Sequence, residues 1–308
     1  MAPSNFIISH EINRALSLSL PIVALETTVV THGLPRPQNL SLARDMESNV
    51  REEGAVPATI GVLKGKVRIG MSEADLEELA NDPKPRKISQ RDFAIAATKK
   101  ENGGTTVAGT MLAAQQAGIK VFATGGIGGV HKESAFDIST DLQALASIPM
   151  IVVCAGAKSI LDLPATLEYL ETMAVPVVGY QTDAFPAFFS RDSGLKVSVN
   201  LGTPDEIVKL ARAHWEMGMH SAILVAQPVS QGDDLPKSDV DKWNEQAHKD
   251  AAAKKIRGQD LTPFLLQRIN ELSGGQSLRS NLSLLLNNAR LAAQIAKSLA
   301  MTQRQKYT

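Results

Sequence analysis

Two apolar runs in this chain end in residues that can do chemistry. Val23-Ala24-Leu25-Glu26 closes on a carboxylate, followed by Thr27, Thr28 and His32. A glutamate beside an apolar strand holds its proton toward neutrality and can act as a general acid. Ile151-Val152-Val153-Cys154-Ala155-Gly156-Ala157-Lys158 closes on a lysine. In desolvated surroundings a lysine keeps a neutral amine fraction and can form a Schiff base with a sugar aldehyde carbon. The blander alternatives are a structural ion pair for Glu26 and a surface lysine at a helix start, an end where the dipole disfavours a cation.

Glycine is the next signal, because eight of the 22 fall between Asn102 and Val130. Asn102-Gly103-Gly104-Thr105-Thr106-Val107-Ala108-Gly109-Thr110 runs into an alanine-rich helix, where backbone amides and hydroxyls would converge on an anion such as phosphate. Equally, Gly103-Gly104 could simply end the preceding helix. Thr124-Gly125-Gly126-Ile127-Gly128-Gly129-Val130-His131 follows a strand, where α/β sheets bind ligands. It is not a dinucleotide fingerprint, since His131 stands three after Gly128, and not a P-loop, since Lys132 follows no glycine and precedes Glu133. Its alternatives are a ligand-facing loop and a close passage of backbone. Phe136-Asp137-Ile138-Ser139-Thr140-Asp141 then offers two carboxylates and two hydroxyls, suited to a hard divalent cation or, more simply, to capping the next helix.

These residues need elements to position them. Strands are expected at Ile22-Leu25, Thr59-Leu63, Lys120-Thr124, Met150-Cys154, Pro176-Gly179, Val197-Asn200 and Ala222-Ala226, as continuous apolar runs of a sheet covered on both faces. Between them Asn39 can cap a helix to Gly54, Ser72 with Asp75 and Ser89 with Asp92 have capping-box spacing, and Thr203-Pro204-Asp205-Glu206 opens another helix. The region from about 237 to 300 is helical, with starts at Lys237, Thr262-Pro263 and Asn281. The expectation is a three-layer α/β/α fold with a largely buried mixed or parallel sheet and a helical C-terminal region, one domain across residues 1–308.

Composition narrows the partners. Lys plus Arg number 32 and Asp plus Glu 32, so nothing suggests a broad nucleic-acid surface, although a local basic pocket is compatible. No apolar run reaches the ~20 residues of a membrane helix. The single cysteine, Cys154, excludes an internal disulfide and points to a reducing intracellular compartment. That means the cytoplasm or, with a targeting segment outside this sequence, an organelle such as the peroxisome; Gln305-Lys306-Tyr307-Thr308 is no known address.

Several ordered blocks resemble one family. Ala24-Leu25-Glu26-Thr27-Thr28, Thr31-His32-Gly33-Leu34-Pro35, the Ala123 to His131 stretch, Phe136-Asp137-Ile138-Ser139 and Val153 to Asp162 are similar to the pseudouridine-5'-phosphate glycosidase, or indigoidine-synthase-A-like, family. So are Val178-Gly179-Tyr180-Gln181-Thr182, Pro186-Ala187-Phe188-Phe189, Thr262 to Leu266 and Ser280-Asn281. The likeness spans roughly residues 10 to 300; between His131 and Phe136 this chain is shorter than some relatives. It implies reversible cleavage of the carbon to carbon glycosidic bond of pseudouridine 5'-phosphate to uracil and ribose 5-phosphate. In that scheme Glu26 is the acid that opens the sugar and Lys158 the covalent nucleophile. The resemblance further implies Asp137 as ligand of a divalent metal, Mn2+, and Lys87, Thr106, Val107, Thr124, His131, Ser139, Thr140, Asp141 and Asn281 as substrate contacts. Asn281 would face the uracil edge. It also implies a homotrimer with small-molecule substrates, while the charge balance and the short apolar runs lead us to expect no nucleic-acid or membrane partner. Two alternatives stay open: a Schiff-base lyase or aldolase on another sugar phosphate, and a non-catalytic sugar-phosphate-binding protein.

Overall fold

The computed structural model describes residues 4–132 and 136–304. Most of the stretch between His131 and Phe136, expected to be shorter than in some relatives, and the C-terminal Gln305 to Thr308 therefore lie outside the described residues. The strands are β1 (Phe6–Ile8), β2 (Ile22–Leu25), β3 (Val56–Leu63), β4 (Lys66–Ile69), β5 (Arg86–Ile88), β6 (Gly103–Thr105), β7 (Val121–Ala123), β8 (Ile151–Cys154), β9 (Val177–Tyr180), β10 (Val199–Leu201) and β11 (Ile223–Ala226). The helices are α1 (His10–Ser17), α2 (Gln38–Glu52), α3 (Glu73–Ala80), α4 (Asp92–Lys99), α5 (Val107–Ala117), α6 (Thr140–Ser147), α7 (Leu163–Thr172), α8 (Pro204–Glu216), α9 (Lys237–Ala253), α10 (Leu261–Leu272) and α11 (Gln276–Arg304). Among the described residues no helix is long and apolar enough to cross a membrane.

All the strands join one sheet, in the order β1-β4-β3-β2-β7-β8-β11-β9-β10, with β6 pairing both β3 and β5. Pairing is parallel except where β3 meets β4 and β6. The central strands β2, β8 and β11 are buried at every residue, which is why their sequences run apolar without alternation. Helix α11 lies across β2, β7 and β8 and packs between α2 and α8, while α5 packs against β2, β3 and β4 with α6 beside it. The helices therefore flank a buried sheet, the α/β/α arrangement expected. C-terminal side chains such as Leu265, Leu284, Ala292 and Ile295 join the same apolar cluster as β2 and β8.

Short elements departed most from expectation. Strand β1 is an apolar run of only three residues, and β4, β5 and β6 have three or four residues and no apolar run to announce them. Gly103 and Gly104 neither end a helix nor form an amide nest: Lys100, in the left-handed region at φ 53°, caps α4, and the two glycines pair with β3 and β5. A Cβ on Gly104 would sit 2.2 Å from the Thr31 hydroxyl and 2.6 Å from the Thr27 carbonyl, so glycine lets this strand pass beside the end of β2. Asn39 lies inside α2 and not at its cap; its buried amide donates to the carbonyls of Val30 (2.9 Å) and Ala80 (3.2 Å). Helix α11 begins at Gln276, so Asn281 sits inside it and does not open it. The boxes at Ser72 and Thr203 form fully. At Ser89 only half the box exists, its amide donating to Asp92 while its hydroxyl pairs with Thr140.

Candidate active site

Strand β2 leads onward to β3 on one side of the sheet, whereas β7 leads to β8 on the other, so the chain reverses direction between β2 and β7. A crevice outside the carboxyl ends of strands opens at such a point. There a cavity of about 340 Å³ is bounded by Glu26, His32, Lys87, Thr106, Val107, Gly128, His131, Asp137, Ser139, Thr140, Asp141, Lys158 and Asn281, among others. Glu26 and Lys158, 132 positions apart in sequence, thus border one cavity.

Glu26 leaves the end of β2 just before a short π-helix at Val29–Gly33, a local overwinding frequent at functional sites. Its neighbour Thr27 is bolted to the sheet: its hydroxyl donates to the Ile60 carbonyl (2.7 Å) and accepts from the Thr105 amide (3.0 Å). The Glu26 carboxyl is buried and accepts a short hydrogen bond from the Thr124 hydroxyl. Desolvation raises its pKa, against the lowering pull of Lys158, Thr124 and Lys87; Asp141 adds to the rise. A proton held toward neutral pH suits a general acid.

Lys158 lies in the loop after β8, five residues before α7, and not at a helix start. Its amide donates to Ile127 (3.1 Å), which fastens this loop to the glycine-rich loop after β7. That loop passes close to its neighbours and also faces the cavity, so both sequence-level alternatives are realised. A Cβ on Gly128 would meet the Ser139 hydroxyl at 2.2 Å. Asp141 is buried, and each of its oxygens accepts from a backbone amide, Ala108 at 3.0 Å and Gly128 at 2.8 Å. It therefore ties the first turn of α5 to the glycine loop while edging the cavity. Ser139 caps α6, its hydroxyl accepting from Asp141 N (3.2 Å), and Thr106 caps α5, accepting from Gly109 N (3.2 Å). Lys87, on β5, is half-buried; desolvation first and the Lys158 charge second lower its pKa. His32 is likewise lowered by burial, then by Lys87, and its Nδ1 contacts the Thr31 hydroxyl at 2.7 Å.

Of the residues expected as catalytic groups, substrate contacts or metal ligand, Thr124 alone does not border the cavity. It is fully buried behind Glu26, with its hydroxyl spent on that carboxyl. Asp137 borders the cavity, but among the described residues no three or more His, Cys, Asp or Glu side chains gather to hold a metal ion. Sequence reasoning missed Asn288, whose buried amide reaches the Thr124 carbonyl at 2.9 Å; no local motif marks it. It also gave no site role to Arg91, Leu161, Phe188 and Leu285, which border the cavity too.

The family model described as "Indigoidine synthase A like protein" matches residues 11–298. The chain belongs to this family. A family relative named pseudouridine-5'-phosphate glycosidase, from Petrotoga mobilis, is 48% identical over 292 residues, covering 94% of this chain and 95% of its own. The crystal structure of an indigoidine synthase A-like protein from Thermotoga maritima superposes with a TM-score of 0.89 at 36% identity, covering 97% of this chain and 99% of its own. The prealnumycin C-glycosynthase AlnA, solved in complex with ribulose 5-phosphate, superposes with a TM-score of 0.90 at 37% identity, covering 98% and 99%.

Proposed function

We propose that this protein is a pseudouridine-5'-phosphate glycosidase, cleaving the carbon to carbon glycosidic bond reversibly to uracil and ribose 5-phosphate. One observation carries the reading: a buried carboxyl whose pKa is raised by desolvation and a lysine border one cavity, beyond the ends of β2 and β8, the two strands that flank β7. The full-length likeness to proteins of that name supports it. A carbon-linked base is a poor leaving group for an oxocarbenium route with two carboxylates, so a covalent route is the better match.

Glu26 gives its proton to the ring oxygen and the ribose opens. The Lys158 amine adds at the anomeric carbon, the pyrimidine carbon takes a proton, and the carbon to carbon bond breaks with its electrons passing to uracil. An imine remains on Lys158, and water hydrolyses it to the sugar phosphate. Lys87 supplies a cation for the phosphate, and Val107 contributes through its backbone at the first turn of α5, where the next two amides are already taken by Asp141 and Thr106. Asn281, which borders the cavity, meets the uracil edge with its donor pair and its acceptor.

A divalent cation, Mn2+, belongs to the same proposal, held by Asp137. Asp137, with the hydroxyls of Ser139 and Thr140 also on the cavity lining, would suit an ion that keeps most of its waters. Such an ion, when bound, supplies positive charge to substrate oxygens. We also propose a homotrimer, tested by light scattering as three times the 33.0 kDa chain mass. The catalytic test is free uracil released from pseudouridine 5'-phosphate and Mn2+ by the purified protein and not by Lys158→Ala. A Schiff-base lyase acting on another sugar phosphate would give no new ultraviolet-absorbing product from ribose 5-phosphate plus uracil.

A further inference from the structure

Helix α11 meets the active site along one face. Asn281 and Leu285 reach the cavity, and Asn288, seven residues after the first, lies on the same side of the helix. Asn288 does not border the cavity. It is 1% exposed, and its amide nitrogen donates to the carbonyls of Thr124 (2.9 Å) and Gly125 (3.4 Å). The paired residues of β2 and β7 end at Leu25 and Ala123, so both carbonyls lie just beyond that ladder. On the other side, Thr124 N donates to Val153 O (3.0 Å) and Gly125 O accepts from Ala155 N (2.8 Å). Gly125 lets the helix come this near, since a Cβ there would meet Leu285 and Leu284 at 3.1 and 3.3 Å. The Thr124 hydroxyl then reaches the Glu26 carboxyl.

We propose that Asn288 is a positioning residue for the proton donor: its amide sets the backbone of Thr124, and the Thr124 hydroxyl sets the Glu26 carboxyl toward the substrate. The inference rests on the glycosidase reading above. An asparagine suits the task because one short side chain carries two donors, one for each carbonyl. A purely structural bolt would also be buried and bonded, but it would not act on the acid. The relay from Asn288 through Thr124 does act on it, because misalignment of a reacting group by about 1 Å can cost up to a hundredfold in rate.

The test measures uracil release by wild type, Asn288→Ala, Thr124→Val and the double variant across pH, with thermal melts of each. Wild-type turnover checks the glycosidase reading separately: without it both readings fall. Given turnover, each single variant is expected to lose about tenfold in kcat with KM changed less than about twofold, since a transition-state contact is lost and ground-state binding is not. The double variant should lose the same tenfold, because both changes break one relay. Glu26 is faced by Lys158, Lys87 and Asp141, and Asn288 hydrogen-bonds to none of them. The Thr124 bond favours the carboxylate, so its loss should move the alkaline limb of kcat to higher pH in all three variants. A lower melting temperature with kcat and the limb unchanged, or a double loss near a hundredfold, overturns the proposal. Should Asn288→Ala not fold, Asn288→Ser, which leaves room for a water at the carbonyls, carries the same comparison.

Discussion

Replacing Asp141 with asparagine tests whether this carboxylate holds the site together. Its two oxygens accept from the amides of Ala108 (3.0 Å) and Gly128 (2.8 Å), and the residue is 5% exposed. Asparagine keeps one acceptor but turns an NH2 donor toward the second amide. Hydrogen bonds to charged groups contribute roughly 1.5–3 kcal/mol each, and a buried donor left unpaired costs a comparable amount, so the loss should be about 3 kcal/mol. A 308-residue chain has an unfolding entropy of about 0.65 kcal/mol/K, which makes that a fall of roughly 5 °C in Tm. Calorimetry reads the stability, and the pH dependence of uracil release gives a second readout. The Asp141 charge helps Glu26 hold its proton, so Asp141→Asn should bring the alkaline limb to lower pH. A Tm within about 1 °C of wild type, together with an unmoved limb, would refute the assignment of Asp141 as the clamp between α5 and the glycine loop.

Glu26→Gln should lower kcat at least a hundredfold, the lower range for loss of a general acid. In the wild type, activity should fall on the alkaline side as Glu26 loses its proton. Its folded pKa is raised, so the stability of the neutral form is complete below the unfolded value and is lost as pH rises through the folded one. Lys87→Met should raise KM for the phosphate ester by about tenfold or more while leaving any slow turnover of unphosphorylated pseudouridine unaffected. Cys154 is buried with its thiol pushed up to about 12, so iodoacetamide should label it only in denaturant; labelling of the native protein at the unfolded rate would contradict its placement in β8.

The central architecture was legible because burial on both faces leaves long apolar runs, and Glu26 and Lys158 stand where two such runs end. Glycine-rich segments were harder. Gly103 and Gly104 serve a strand edge that exists only because β3 and β5 lie beside it, and nothing local distinguishes that from a helix end. The resemblance implies Thr124 as a substrate contact; its hydroxyl instead meets Glu26, 98 residues away in sequence. Asn288 was invisible for the same reason, its partners being 163 and 164 residues distant. Hydrogen bonds of that reach follow from the packing of α11 on the sheet, which no spacing rule encodes.

The covalent role of Lys158 is the claim on which the mechanism turns. Borohydride added to the protein during turnover of pseudouridine 5'-phosphate, followed by peptide mass mapping, tests it directly. The account predicts a reduced ribose-phosphate adduct on the peptide carrying Lys158 and none in Lys158→Ala. Uracil release at full rate with no trapped adduct, or an adduct on Lys87, would contradict it.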